Sequence, residues 1–220
     1  MFDGMPVRRL PVYLLLDVSG SMTGEPIEAL RQGVKNLIAE LNGEPDAIER
    51  VWLSIITFGG SEAKVAVPLT PLGQFLEPKF EADGWTPLGG ALKLLIQSID
   101  NDLKKSTPTQ KGDYKPLVFI MTDGEPNDDW EKCAADLKNK RPANIIAVGC
   151  GPDVNTAVLK KITEIVLLMK SYTNKDFSQF FKWVSGSIVQ ASVAVGAQTA
   201  GGADHPVQLQ KVPDQIVIVP

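Results

Sequence analysis

Histidine is all but missing from this 220-residue chain, which carries only His205, in a Gly- and Ala-rich stretch near its end. A serine nucleophile needs a base within hydrogen-bond reach, so Ser19 and Ser21 lack the partner that hydrolase chemistry demands. Cysteine is nearly as scarce. Cys133 and Cys150 have neither zinc-ligand spacing nor the number expected of a disulfide framework, and they read as ordinary buried or half-buried thiols. No apolar run approaches the roughly 18–20 residues that a membrane span needs. The opening segment holds Arg8 and Arg9 but no apolar stretch leading to a cleavage site, so the expectation is a cytoplasmic protein with no membrane contact. Positive charge does not cluster: 22 Lys and Arg are spread along the chain against 26 Asp and Glu, a net charge of −4, and nucleic acid is excluded as an expected partner. A phosphate cradle is also lacking. Gly59-Gly60-Ser61-Glu62 does not have the Gly-x-x-x-x-Gly-Lys spacing that ATP or GTP hydrolysis uses.

What the chain has is apolar residues, 44% of the total, in two alternating kinds of segment. Uninterrupted runs at Val12 to Leu16, Trp52 to Phe58, Leu117 to Met121 and Ile145 to Val148 suit strands covered on both faces. Ala63 to Leu69 alternates apolar with polar or small residues and contains Pro68, which predicts a short edge strand reached by a hairpin through Gly59 and Gly60. Ile165 to Met169 predicts a sixth strand. Between the strands, apolar residues return every three or four positions, as in Ile27, Leu30, Val34, Leu37, Leu41 and in Leu88, Leu92, Leu95, Ile99, Leu103, the spacing of amphipathic helices. Weaker patterns run from Trp130 to Leu137 and from Val154 to Ile162, and a longer final helix is expected from Phe177 to Val195. This alternation is the sequence sign of an α/β fold with a parallel sheet sheathed by helices. It assigns residues 8–195 to one domain and 196–220 to a C-terminal tail or arm. The tail is rich in Gly, Ala, Gln and Pro as far as Pro213, and its apolar end, Ile216-Val217-Ile218-Val219, could pair with a sheet edge of this chain or another.

Two strand ends and one helix start carry the chemistry. The first buried run leads into Asp17-Val18-Ser19-Gly20-Ser21-Met22, one carboxylate and two hydroxyls in five residues. Open α/β sheets bind ligands at the carboxyl ends of their strands, near the point where strand order reverses. Such a set offers only hard oxygen donors, which suit Mg²⁺, Mn²⁺ or Ca²⁺ and not Zn²⁺ or copper. A second run leads into Thr122-Asp123-Gly124-Glu125, and Asp83-Gly84-Trp85-Thr86-Pro87-Leu88 places Thr86 just before a helix. Each also has a plain structural explanation, with Asp17 and Asp123 as turn residues and Ser19, Ser21 and Thr86 as helix caps, Pro87 being the first helical residue.

Taken together, Asp17-x-Ser19-x-Ser21, Thr86 in a Thr-Pro-Leu loop and Asp123 in a Thr-Asp-Gly strand end resemble the metal-ion-dependent adhesion site of von Willebrand factor type A domains. The resemblance covers roughly residues 8 to 195. It implies a Rossmann-like three-layer sandwich, mostly parallel with one short antiparallel edge strand and helices on both faces. It further implies that Ser19, Ser21 and, in one state, Thr86 touch a divalent cation, Mg²⁺ first and Mn²⁺ or Ca²⁺ as alternatives, while Asp17 and Asp123 act through water. The implied function is non-enzymatic, an adaptor that binds an acidic residue of a partner protein through the cation. Trp85, Met22 and Glu125 are expected at the partner-binding rim. The Arg8-Arg9-Leu10-Pro11-Val12-Tyr13 entry and Trp85-Thr86-Pro87-Leu88-Gly89 also resemble the bacterial tellurium-resistance TerY-type subgroup, which implies a stress-response scaffold with a protein kinase and a metal-dependent phosphatase as partners.

Two other functions are weighed against this one. A metal-dependent phosphate-handling enzyme of the haloacid-dehalogenase type needs a second aspartate two residues after the first, where this chain has Ser19. In a metal-free scaffold the same oxygens would only cap turns. Asp128, Asp129 and Glu131 read as first-turn acids of the helix that follows them, or as added negative charge at the metal rim. Ser185-Gly186-Ser187 repeats the Ser-Gly-Ser letters without an aspartate before them and reads as a small-residue packing contact in the last helix.

Overall fold

Seven strands form one sheet in the computed structural model, which describes residues 7–151, 154–171, 173–196, 209–214 and 216–220. His205 and most of the Gly- and Ala-rich connection lie outside the described residues. The strands are β1 (Leu10–Asp17), β2 (Val51–Gly59), β3 (Glu62–Pro71), β4 (Leu117–Thr122), β5 (Asn144–Cys150), β6 (Ile165–Met169) and β7 (Ile216–Ile218). Their spatial order is β3-β2-β1-β4-β5-β6-β7. The five central strands run parallel, whereas β3 pairs antiparallel with β2 and β7 with β6. Sequence pattern anticipates the first of these edges as a short strand, but β3 is ten residues long with two register shifts against β2. The second edge is the apolar end of the tail, which folds back onto its own sheet.

The helices are α1 (Glu25–Asn42), α2 (Pro45–Arg50), α3 (Leu88–Asp102), α4 (Glu131–Lys140), α5 (Thr156–Ile162) and α6 (Asn174–Gly196). The side-chain alternation of a strand divides the core between two layers. Leu10, Val12, Leu14 and Leu16 of β1 pack with α1 and α6, while Tyr13 and Leu15 face α3, α4 and α5. Both layers are apolar, which explains why the central strands read as continuous runs instead of alternating ones. The α1–α6 contact is tight. A Cβ on Gly33 would stand 2.1 Å from the Phe181 ring, so α1 carries glycine where the two helices cross. Ser185-Gly186-Ser187 is a packing contact as well: Gln210 donates its backbone N–H to Ser187 Oγ (3.3 Å) and accepts from Trp183 Nε1 (3.0 Å), while its side chain covers Gly186.

β1 is flanked by β2 on one side and β4 on the other, so the topological switch of the sheet lies at β1. Its carboxyl end is Asp17, and the loops after β1, β4 and the β3–α3 connection meet above it. Among the described residues no helix is long and apolar enough to cross a membrane.

Candidate metal centre

Asp17 ends β1 with no exposed surface, a costly place for a carboxylate. It accepts from the Ser19 backbone N–H (2.8 Å) and from Thr122 Oγ1 at the end of β4 (2.5 Å). The turn that follows is one turn of 3-10 helix, Gly20–Met22, with Ser19 at its cap position but no side-chain capping bond. The serine hydroxyls are therefore free to face each other, Ser19 Oγ lying 3.0 Å from Ser21 Oγ. Ser21 Oγ donates to Asp123 Oδ1 at 2.8 Å, which closes a chain of oxygens from β1 to β4.

Thr86 enters from a loop stitched to its neighbours by backbone hydrogen bonds. Asp83 N–H donates to Val18 O (2.9 Å), Gly20 N–H to Gly84 O (2.9 Å) and Trp85 N–H to Gly60 O (3.0 Å). Gly84 has φ +56, and a Cβ there would meet the Gly60 backbone at 2.7 Å, so both conformation and space call for glycine. Thr86 is buried, and its Oγ1 lies 3.1 Å from the point where a Cβ on Gly124 would stand; Ser21 Oγ is 3.9 Å from the same point. The absence of a side chain on Gly124 thus keeps open a small space bordered by the Thr86 and Ser21 hydroxyls.

Burial pushes the Asp17 carboxyl up from its ordinary 3.8 to about 6, against the hydrogen bonds from Ser19 and Thr122, and the nearby Asp123 adds to the rise. Burial raises Asp123 as well, partly offset by Ser21. Among the described residues neither carboxylate forms an ion pair with Lys or Arg. No three His, Cys, Asp or Glu side chains gather into a metal site among those residues; the donors here are two carboxylates and three hydroxyls. A fully buried acid and a partly buried one, neither with a counter-charge among the described residues and both beside hydroxyls, fit a hard divalent cation. The family model for the von Willebrand factor type A (VWA) domain matches residues 12–185, which include all five of these residues.

The chain belongs to the von Willebrand factor type A domain family. VWA domains generally mediate protein–protein interaction through a metal-ion-dependent adhesion site. An uncharacterised protein of Synechocystis is 31% identical over 170 residues, 70% of this chain and 36% of that protein. Proximal thread matrix protein 1 of the mussel byssus, solved with zinc in its adhesion-site motif, aligns with a TM-score of 0.58 at 20% identity, over 81% of this chain and 48% of that one. Manganese-loaded TRAP protein of Plasmodium vivax gives 0.51 at 22% identity, over 70% and 62%. The chain spans well under two thirds of the length of the curated relatives it matches.

The structure therefore brings Asp17, Ser19, Ser21, Thr86 and Asp123 to one sheet end, but it corrects the surroundings of this VWA site. Met22, expected at the rim, has no exposed surface and packs in the core beneath α1, because the 3-10 turn points it inward. Trp85 is 71% exposed, and Glu125 is exposed too. Thr86 does not cap α3: the helix begins at Leu88 with Pro87 at the cap position, and the capping carboxylate is Asp128. Of the three acids after β4, only Glu131 lies in the first turn of α4. The contributions of Thr122 and Asp128 escape sequence reading, since both act on residues far away in the chain. A polar residue at the end of an otherwise apolar run was the one signal available for Thr122.

Proposed function

We propose that this domain is an adaptor that holds a divalent cation at Asp17, Ser19, Ser21, Thr86 and Asp123 and uses it to bind an acidic side chain of a partner protein. The observation that carries the reading is a buried Asp17 with no counter-charge among the described residues, joined through the Ser19 backbone N–H and the Ser19 and Ser21 hydroxyls to Asp123 at the switch point of the sheet. Mg²⁺ is the expected cation, with Mn²⁺ and Ca²⁺ as alternatives. A bound cation supplies an electrophilic centre with a water-filled position that a partner carboxylate can take.

The chain's own residues prepare that event. Neutral hydroxyls from Ser19, Ser21 and Thr86 would leave the charge of the cation largely unquenched, while Asp123 holds the Ser21 hydroxyl and Asp17 holds the Ser19 backbone N–H. Trp85 and Glu125 form the rim, where an exposed indole offers contact area to a partner. The position two residues after Asp17 is Ser19 and not a second carboxylate, which favours binding over phosphate chemistry. The flanking Arg8-Arg9-Leu10-Pro11 and Trp85-Thr86-Pro87-Leu88-Gly89 stretches support a narrower setting, a cytoplasmic bacterial tellurite- or stress-response system in which a kinase and a phosphatase are the partners.

The test is Mn²⁺ uptake followed by water-proton relaxation. Wild type is expected to enhance relaxation, and a peptide bearing an exposed Asp or Glu to lower the enhancement as it displaces water; the same peptide with Asn or Gln is expected to leave it unchanged. Equal effects from acid and amide peptides would refute the carboxylate latch.

A further inference from the structure

Helix α3 starts directly behind the Thr86 loop, and its first amides need acceptors. Pro87 offers no side-chain cap, and Thr86 Oγ1 is not bonded to those amides. The Leu88 N–H finds the Thr86 carbonyl at 2.8 Å, and the acceptors for the next two amides come from the other side of the site. Asp128, in the loop after β4, takes the Gly89 N–H on Oδ1 and the Gly90 N–H on Oδ2, both at 2.8 Å. One residue earlier, Asn127 donates its backbone N–H to Thr86 O at 3.3 Å. The two loops also pack without clearance, since a Cβ on Gly89 would fall 2.5 Å from Asp129 O. The loop that carries Thr86 and the loop that carries Asp123 are therefore fastened together beside the residues they present.

We infer that Asp128 is a positioning residue for the cation site: it takes over the capping of α3, leaves the Thr86 hydroxyl free for the cation, and locks Thr86 and Asp123 into one pre-organised unit. The inference rests on the cation reading proposed above. A polar residue at a helix cap ordinarily spends its side-chain oxygen on an N–H of the first turn, and Pro87 at that position has none to offer. Here a carboxylate does that work with two charge-assisted bonds at the positive end of the helix, and the threonine side chain stays beside Gly124 and Ser21. Any shift of Thr86 towards or away from the cation must then carry the Asp123 loop with it.

The experiment compares wild type with Asp128→Ala, Asp128→Asn, Thr86→Ala and the Thr86→Ala/Asp128→Ala pair. Mn²⁺ affinity is read from the free-ion electron paramagnetic resonance signal, and amide exchange at Gly89 and Gly90 is read in chelator. Loss of a group that orients a metal ligand typically weakens binding by about 10- to 100-fold, and Asp128→Ala is expected in that range. Asp128→Asn retains one acceptor oxygen and should fall between it and wild type, which also covers the case in which the alanine variant folds poorly. Because Asp128 acts in part through Thr86, the double variant should lose less Mn²⁺ affinity than the two single losses combined. A similarly destabilising change away from the site, Ile188→Ala in α6, should leave the affinity at the wild-type value.

Wild-type affinity in Asp128→Ala, or full additivity in the double variant, would overturn the positioning role. If wild type takes up no Mn²⁺, the cation reading falls and the positioning role with it. Fast exchange at Gly89 and Gly90 in Asp128→Ala would in that case show a helix cap and nothing more.

Discussion

The two ends of the β1 strand both bury acid, and they treat it in opposite ways. At the amino end, Asp113 is held by Arg9 through Nε (2.8 Å) and a second guanidinium nitrogen (2.5 Å), with only 11% and 4% of the two side chains exposed. The Lys104 backbone N–H adds a third bond at 2.8 Å, and the guanidinium lies 4.5 Å over the Trp52 ring. Charge and hydrogen-bonding capacity are closed within the chain. At the carboxyl end, Asp17 and Asp123 receive hydrogen bonds but, among the described residues, no cationic side chain, and burial raises both carboxyls. One cluster is complete as a structural tie, whereas the other lacks one charge. The difference marks the carboxyl end as the one whose acids have no counter-charge among the described residues, which is where the proposed cation would supply it.

The largest effect that tests this contrast is at the complete end. Asp113→Ala strands a nearly buried guanidinium, and breaking a buried pair from one side costs about 3–5 kcal/mol. Chemical denaturation should show that loss equally in chelator and in millimolar Mg²⁺; a loss that depended on the cation would erase the distinction between the two ends. Next comes the cation itself. A ligand present at about 100 times its Kd stabilises the native state by roughly 2.7 kcal/mol, so wild type should gain on that order while Asp17→Ala gains nothing. If no cation raises the wild-type midpoint, the carboxyl end is a metal-free scaffold.

A smaller effect is expected from pH, and its sign changes with the cation. The folded carboxyl of Asp17 titrates at about 6 against an ordinary 3.8, so its contribution to stability is fully present below about pH 4 and is lost as pH rises through 6. In chelator the protein should therefore weaken over that window. With Mg²⁺ the slope should reverse, because the cation takes the carboxylate and not the acid. Asp17→Asn should flatten both curves, and thermal midpoints between pH 4 and 7 measure all of them. Unchanged curves in the variant would assign the titration to another group.

Sequence pattern reached the strands because residues such as Leu14, Ile55 and Ile120 are buried on both sides and leave uninterrupted runs. The five candidate residues that the structure brings to one sheet end are legible because Asp17, Ser19 and Ser21 are neighbours in the chain, and Thr86 and Asp123 each sit at a recognisable element end. Sequence pattern failed where a partner is remote. Nothing local distinguishes Asp128 as the cap of a helix that begins 40 positions earlier from an acid opening its own helix. Met22 illustrates a second limit: one turn of 3-10 helix rotates a side chain from rim to core, and three residues carry no period to announce it. The six-residue α2 escaped for the same reason.

The smallest expected effect lies at the amino end, at Tyr13. Its ring is fully buried against the α3–α4 layer, and its hydroxyl donates to Asp102 Oδ2 across a long 3.4 Å. Tyr13→Phe keeps the ring and gives up one weak hydrogen bond, so near pH 8 the loss should fall at the low end of about 0.5–1.5 kcal/mol. Burial, and then the negative charge of Asp102, hold the phenol well above its ordinary value of 10.0. A raised folded-state value means that the stability tied to this group is intact below pH 10 and is lost as the solution becomes more alkaline. Wild type should accordingly lose ground to Tyr13→Phe above pH 10, and the difference between them should shrink or reverse in urea denaturation at pH 11. A large loss at pH 8 that stayed constant to pH 11 would make Tyr13 a structural anchor of the Arg9–Asp113 tie, and the amino end would then depend on its phenol as much as on its ion pair.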